Sequence, residues 1–258
     1  MTFLTHTIVV FLGTLGLFFF TFSPALKAQE EISLAETKPI RVSLSSFYKN
    51  KSVFRGAETW PKPSYFVGPG LIFFDKWLLR GPGLFYSHFP RTSSFLFTAG
   101  VSYFDDGEPW PDTSDHKEDY RNQRKSTVEA STKFRYKFGY RNSFYLGVSL
   151  YKEIKYHYGH FSELEAGLPL LPYTGLHLKM GLGDKQANQY IYGPSGVSGE
   201  AYRSASVSVV IPHLPWDGII RAEVNRTWIV QDKNRAAEYV KGKNTNDGAS
   251  MMLVWNLI

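Results

Sequence analysis

The sequence contains no cysteine, and beyond its first 28 residues it contains no long hydrophobic run. Without disulfides, an exported protein must be stabilised by its own packing and hydrogen bonds. Without a second long apolar run, the chain does not fit a helical membrane protein. Aromatic residues are abundant, with 16 Tyr and 20 Phe, while mean hydropathy is only −0.24. This combination is typical of transmembrane β-barrels, in which lipid-facing and lumen-facing residues average out.

The N-terminus has the pattern of an export signal. An uncharged apolar run covers residues 7–22, a Ser-Pro pair follows it, and Leu26 and Ala28 fit the minus-three and minus-one positions of a signal-peptidase site. We therefore predict a signal peptide over residues 1–28 and one barrel domain over residues 29–258. An uncleaved membrane anchor is the alternative, although the run is shorter than the about 20 residues that a helical span needs.

The segment FRYKFGYRNSFYLGVSLY (134–151) shows period-two alternation. Aromatic residues at 134, 136 and 138 are separated by Arg135 and Lys137, which is a strand signature. A soluble β-sandwich would bury the aromatics and expose the charges. A membrane barrel would do the reverse, because a charge facing the bilayer centre costs about 2–4 kcal/mol.

The rest of the chain divides into short strand candidates separated by turn residues. They cover residues 40–48, 52–58, 65–74, 77–88, 94–104, 125–139, 142–154, 157–168, 172–183, 201–211, 218–230 and 248–258. Long connections at 105–124, 184–200 and 231–247 alternate with short ones, as in barrels with external loops and periplasmic turns. We predict an all-β fold, a transmembrane antiparallel β-barrel of about twelve strands. Ten strands result if two N-terminal candidates are not strands.

Alternation assigns a face to each residue of these strands. The predicted lumen residues are Lys133, Arg135, Lys137, Tyr145, Ser149, Tyr151, Gly175, His177, Lys179, Ser204, Ser206, Ser208, Arg221, Glu223, Asn225 and Thr227. We regard Lys133, Arg135, Lys137, His177, Lys179, Arg221 and Glu223 as ligand candidates. These cations either form a surface that attracts anions or pair with carboxylates and tyrosines to fill a closed interior. Arg226 falls on the lipid face.

Three stretches carry a resemblance to a known family. They are WLLRGPGLFY at 77–86, ANQYIYGP at 187–194, and the strands predicted after the second stretch. The first is similar to a hairpin written fflrGpGlgY, and the second to a loop written NQYYYGV. Both occur in the MltA-interacting protein (MipA)/OmpV family of Gram-negative outer-membrane proteins. FRGAE at 54–58 and WNLI at 255–258 depart from the family pattern.

The resemblance implies a signal peptide, an outer-membrane β-barrel and a scaffold role that bridges a murein hydrolase and a synthase. It also marks a family-motif loop, which is expected to fold inward as a plug, to form an exposed binding patch, or to join an aromatic girdle. The residues of this loop are Asn188, Gln189, Tyr190, Tyr192 and Gly193.

Groups that could carry out chemistry are few. The acidic loop DDGEPWPDTSDHKEDY (105–120) could bind a divalent cation, but it lacks EF-hand spacing and fits a solvated external loop. His157 and His160 lie three apart, which on a strand places them on opposite faces. His116 lies beside Asp115, yet no nucleophile, base and orienting group occur together. We expect no enzyme activity, no cofactor and no metal.

Two functional hypotheses remain open. The first is a non-enzymatic scaffold in contact with outer-membrane lipid and periplasmic murein enzymes. The second is a narrow channel or small-ligand transporter with a basic lumen. An outer-membrane hydrolase using His116 or His160 is a distant third. The pI near 9.3 does not indicate nucleic acid as a partner, because no Arg-aromatic stacking module is present.

Overall fold

The computed structural model describes residues 40–74, 76–80, 82–88, 94–104, 126–139, 144–214, 218–240 and 242–256. The predicted signal peptide, the whole acidic loop (105–120) with His116, and the C-terminal Ile258 lie outside these residues.

The described residues form fourteen strands and two helices. They are β1 (Ile40–Lys49), β2 (Ser52–Phe54), β3 (Ala57–Trp60), β4 (Ser64–Phe73), β5 (Trp77–Arg80), β6 (Gly83–His88), β7 (Phe95–Phe104), β8 (Thr127–Lys137), β9 (Tyr145–Glu153), β10 (His160–Leu171), β11 (Thr174–Gly183), α1 (Lys185–Tyr192), β12 (Gly199–Leu214), β13 (Gly218–Ile229), α2 (Asp232–Ala236) and β14 (Thr245–Asn256). Neither of these helices is long and apolar enough to cross a membrane.

Twelve of the strands close into an antiparallel barrel. The order is β1-β14-β13-β12-β11-β10-β9-β8-β7-β6-β5-β4, and β1 closes the ring by pairing with both β14 and β4. Closure satisfies the hydrogen-bonding groups that edge strands would otherwise expose. A closed barrel replaces the β-sandwich that the sequence left as an alternative.

The predicted strand number of twelve is correct, but two of the predicted strands are wrong. Residues 52–58 contribute to the separate β2–β3 hairpin and not to the barrel wall. Residues 77–88 form two barrel strands, β5 and β6, instead of one. The turn between them contains Pro82, which has no N–H to donate to a continuous strand. The two errors cancel in the count.

The two ends of the barrel differ. One end, here called the loop end, carries the β2–β3 hairpin and the connections 81–82, 105–126, 154–159, 184–198 and 230–244. The other, the turn end, carries the start of β1, the end of β14 and the connections 74–76, 89–94, 138–144, 172–173 and 215–217. The three longest connections, 105–126, 184–198 and 230–244, all lie at the loop end, as predicted, but this end also carries the short connections 81–82 and 154–159.

The outer face of the barrel is apolar and exposed. Outward-facing exposed residues include Val67, Leu79, Leu84, Val101, Phe134, Tyr136, Leu146, Val148, Leu150, Leu164, Val209, Val224 and Met251. The alternating residues, including the predicted lumen cations, face inward. Arg226 is on the outer face, where it forms a bidentate pair with Asp247 on the neighbouring strand at 2.5 and 2.8 Å.

An aromatic band surrounds part of the outer face at the turn end. Its rings are in contact from β5 to the start of β9, with centroid distances of 5.2 Å for Trp77–Tyr86, 5.2 Å for Phe97–Phe134 and 4.9 Å for Tyr136–Phe138. Such bands are common where a barrel meets a membrane–water interface. The alternating aromatic residues Phe134, Tyr136 and Phe138 belong to this band.

A small hydrophobic core lies at the loop end. It joins the β2–β3 hairpin, α1, α2 and the adjacent ends of β10, β12 and β13, through Ala57, Phe161, Ala187, Ile191, Tyr192, Ala201, Tyr202, Ile229, Ala237 and Val240. We call the hairpin and the two helical segments the cap. Ile191 and Tyr192 have no exposed surface, so the cap is firmly packed against this side of the barrel mouth.

Candidate functional site: a charged lumen beneath a cap

The inner wall carries a belt of charged and polar side chains that lie flat against the strands. Arg135 on β8 donates two hydrogen bonds to Glu165 on β10, at 2.7 and 2.9 Å. Between them, on β9, is Gly147, where an added Cβ would lie 2.5 Å from a Glu165 oxygen. The missing side chain lets this ion pair extend along the wall instead of into the lumen.

The belt continues as a hydrogen-bonded chain across three strands. Tyr145 Oη lies 2.9 Å from His177 Nδ1, and His177 Nε2 lies 2.8 Å from Ser208 Oγ. The Tyr145 ring covers Gly167, where a Cβ would collide with it, and Arg135 stacks 4.2 Å from its centroid. Ser208 is only 4% exposed, so its hydroxyl is shielded from any solute. These hydrogen-bonded side chains therefore line the wall, and the Ser208 hydroxyl is not accessible as a nucleophile.

Two arginines complete the belt. Arg221 on β13 donates to Glu223 at 2.9 Å. Arg80 on β5 reaches across the inner faces of β4 and β1 to the thioether sulfur of Met252 on β14, at 3.0 Å. Met252 is the direct cross-strand partner of Arg221, so the two guanidinium groups extend toward the same part of the lumen.

Three lysines of the inner wall form no direct ion pair with a carboxylate among the described residues, although Glu163 interacts electrostatically with Lys133 and Lys179 at longer range. Lys133, Lys137 and Lys179 form none of the observed ion pairs, and Lys133 and Lys179 are exposed although they point inward. Lys133 lies 5.5 Å from the Tyr151 ring centroid. The lumen therefore contains accessible positive charge in addition to the paired arginines.

Nearer the cap, Glu163 is held by two tyrosines. Tyr151 donates to one of its oxygens at 2.9 Å, and Tyr202 donates to the other in a short hydrogen bond. The rings of Tyr202 and Phe161 stack with a centroid distance of 6.2 Å and cover Gly181. This aromatic layer forms the floor on which the cap rests.

Arg55 at the tip of the β2–β3 hairpin enters that layer from above. Its guanidinium lies 4.1, 4.6 and 4.7 Å from the ring centroids of Phe161, Tyr151 and Phe54. It also donates to Glu129 on β8 at 2.7 Å. The backbone at Arg55 and Gly56 has φ of 47° and 90°, as in a two-residue hairpin turn with both central residues left-handed.

Two hydrogen bonds fasten the hairpin tip to distant parts of the chain. Tyr192 Oη donates to the Arg55 carbonyl and Asn246 Nδ2 donates to the Gly56 carbonyl, both at 2.7 Å. A Cβ at position 56 would lie 2.9 Å from the Tyr202 Cβ, so glycine is required there for space as well as for its φ. The tip is therefore held by backbone contacts as well as by the Arg55 side chain.

The predicted family-motif loop is in fact helix α1. Asp184 begins it as N-cap by accepting from Ala187 N–H at 2.8 Å, and Gly193, with φ of 120°, ends it. Burial of Ala187, Asn188, Ile191 and Tyr192 follows helical spacing, which the sequence analysis missed because the segment is so short. Tyr192 is fully buried, which makes the segment part of an inward-folded cap and not an exposed patch.

The remaining motif residues have structural contacts. Asn188 donates to the Val197 carbonyl at 2.6 Å, and Gln189 donates to the Pro194 carbonyl at 2.6 Å. Tyr190 stacks on His157 with a centroid distance of 4.5 Å.

Asp184 also binds His160. Its carboxylate accepts from the His160 backbone N–H at 2.8 Å and lies 3.2 Å from the His160 ring nitrogen. Burial alone would raise the pKa of Asp184, but the hydrogen bonds from Ala187 and His160 outweigh it and hold that pKa below its ordinary value. The His157 ring accepts from Gly159 N–H, so the two histidines serve different contacts.

Within the described ranges, no cluster of three or more His, Cys, Asp or Glu is placed to hold a metal ion. The structure brings Arg135, His177, Arg221 and Glu223 into the belt and leaves Lys133, Lys137 and Lys179 beside it. The sequence analysis missed Arg55, Arg80 and Glu129 as lumen residues. Alternation would have indicated Glu129, which shares the parity of Lys133, whereas the other two depend on turns.

Comparison with known proteins identifies no family. No protein-family model matches the sequence, and no curated protein shows significant similarity to it. The MipA/OmpV resemblance therefore stays a prediction.

Two similar solved structures are of proteins from Pseudomonas. One is an outer membrane channel from Pseudomonas putida F1, with 8% identity, a TM-score of 0.34, and coverage of 88% of this chain and 100% of that one. The other is Pseudomonas aeruginosa OpdK, solved with vanillate, with 10% identity, a TM-score of 0.32, and coverage of 82% of this chain and 56% of that one. At these TM-scores neither likeness bears on function.

Proposed function

We propose that this protein is an outer-membrane β-barrel that conducts small anionic solutes. The exposed apolar outer face supports membrane insertion, because a soluble protein rarely exposes so large an apolar surface to water. The aromatic band at the turn end and the predicted signal peptide support the same location. The charged residues inside the barrel then face water and not lipid.

The observation that carries the channel proposal is the state of Lys133 and Lys179. Both point into the lumen, both are exposed, and neither forms a direct ion pair among the described residues, although Glu163 interacts electrostatically with both at longer range. In a filled interior these ammonium groups would be paired, since an unpaired buried charge is costly. Side chains that lie over Gly147 and Gly167 keep the wall thin. Accessible cations on such a wall attract anions into a water-filled passage.

The test is reversal potential in a planar bilayer under a KCl gradient, with the refolded protein. We expect wild type to prefer chloride, and Lys133→Glu/Lys179→Glu to lose or reverse that preference. The matched control is Lys62→Glu/Lys233→Glu, which makes the same change in net charge at exposed positions of the loop end and should keep the wild-type preference. A folded barrel without conductance, or a double variant with unchanged selectivity, would contradict the proposal.

The scaffold role remains a second prediction and rests on the resemblance alone. A murein hydrolase or synthase partner would have to bind at the turn end, where residues 215–217 lie outside the described ranges. Absence of enzyme activity and of a cofactor likewise stay predictions. No described feature favours the scaffold over the channel.

A further inference from the structure

Arg80 is the one cation of the inner belt whose observed partner, among the described residues, is a sulfur atom. Its guanidinium donates to Met252 Sδ, and the side chain is exposed to the lumen. A thioether is a weak acceptor, whereas a carboxylate binds the arginine fork through two charge-assisted hydrogen bonds. An incoming carboxylate would therefore replace a weak contact with a strong one at little cost.

The part of the wall that the Arg80 head group reaches carries apolar side chains, unlike the belt on β8 to β13, together with one cation, Lys49, whose ammonium lies 5.0 Å from the Phe47 ring centroid. Met252 is the cross-strand partner of Phe47, and Phe47 is the cross-strand partner of Phe66. Phe66 is 54% exposed on the lumen face, and its ring lies over Gly68. A phenylalanine so exposed in a polar lumen offers an uncovered apolar surface two strands away from Met252, the residue that the Arg80 head group contacts.

We propose that Arg80, Met252, Phe47 and Phe66 form a binding site for amphiphilic monocarboxylates. The carboxylate binds the Arg80 guanidinium, and the hydrocarbon body lies on the two phenylalanines and the methionine. The inference rests on the proposed channel only for access of the solute to the lumen.

The experiment is isothermal titration of the full-length mature barrel in nanodiscs, with empty nanodiscs subtracted. Hexanoate and acetate are the probes, because they share a head group and differ in hydrocarbon. We expect hexanoate to bind roughly tenfold tighter or more, since each methylene laid on an apolar wall adds affinity. Arg80→Gln should weaken hexanoate binding by roughly tenfold or more, because a charge-assisted pair is lost.

Three further variants separate binding from structure. Arg80→Lys keeps the charge without the fork and should bind hexanoate with intermediate affinity. Phe66→Ala should lower the ratio of hexanoate affinity to acetate affinity and should leave acetate affinity unchanged. Lys62→Gln removes one positive charge outside the lumen and should match wild type. Heat-modifiable migration in gels reports folding for every variant.

Equal affinity for the two probes, no binding to wild type, or wild-type affinity in Arg80→Gln would overturn this site. The titration needs no current through the barrel. Binding without conductance would therefore refute the channel and support the binding site. Conductance without binding would support the channel and refute the binding site.

Discussion

Arg55 and Glu129 form an ion pair of 2.7 Å that joins the tip of the β2–β3 hairpin to the inner wall of β8. Their side chains are only 7% and 5% exposed. The pair lies under three aromatic rings that also contact the guanidinium. The cap is therefore fixed to the barrel by a buried charge–charge contact at its deepest point.

Replacing Arg55 by Asn should loosen the cap. Asn tolerates the left-handed backbone at this position better than Arg does, so the turn is kept while the guanidinium is lost. Breaking one side of a buried ion pair costs about 3–5 kcal/mol, because the remaining carboxylate is left unpaired. Trypsin cleavage of the native protein after Lys51, which Ser52 follows and which the Arg55 substitution leaves in place, should speed up accordingly, and bilayer currents should rise.

The double variant Arg55→Asn/Glu129→Gln is the control for that result. It removes both charges, so it should be less destabilised than Arg55→Asn alone. Arg226→Asn breaks an exposed pair on the outer face and should leave proteolysis of the hairpin at the wild-type rate. If the hairpin of Arg55→Asn is also cleaved at the wild-type rate, the Arg55–Glu129 ion pair does not hold the cap in place.

The glycines of the inner wall give a second prediction. A methyl group at Gly167 would collide with the Tyr145 ring, so Gly167→Ala should push that ring into the lumen and lower conductance. The overpacking should also lower the free energy of unfolding by about 1–3 kcal/mol. In a Tyr145→Ala background the same glycine substitution should cost little. Conductance and urea unfolding of the four proteins measure the coupling, and strictly additive effects would show that the ring is not held by Gly167.

Much of the barrel follows from alternation alone. The parity of residues 133–137 and 177–179 was sufficient to place Lys133, Arg135, His177 and Lys179 inside, because a strand has no third direction for a side chain. The same rule placed Phe134 on the outer face. Which cations are paired does not follow from parity, since the Arg135–Glu165 contact skips a strand and depends on Gly147.

The cap could not be predicted in this way. Arg55 reaches the lumen only because its hairpin folds back into the mouth, where it is held by Tyr192 and Asn246, which are 137 and 190 residues from their acceptors in sequence. Arg80 lies next to a proline-containing turn that separates β5 from β6, and the alternation pattern did not reveal this turn. Of the three lumen residues that sequence analysis missed, Arg55 and Arg80 therefore depend on a turn whose position is set by tertiary contacts, whereas Glu129 follows the alternation.

Helix α1 should undock at acidic pH because of Asp184. The pKa of this N-cap lies below its ordinary value of about 3.9, so its stabilising charge is fully present above that pH and is lost as the pH falls through the lower folded-state value. Pepsin cleavage of the 184–198 segment should accelerate across that window in wild type. Asp184→Asn keeps a good N-cap without a titrating group, so its pepsin profile should be flatter, whereas Asp184→Ala should lose about 1 kcal/mol of helix stability at every pH. Identical profiles for wild type and Asp184→Asn would assign the acid sensitivity to another group.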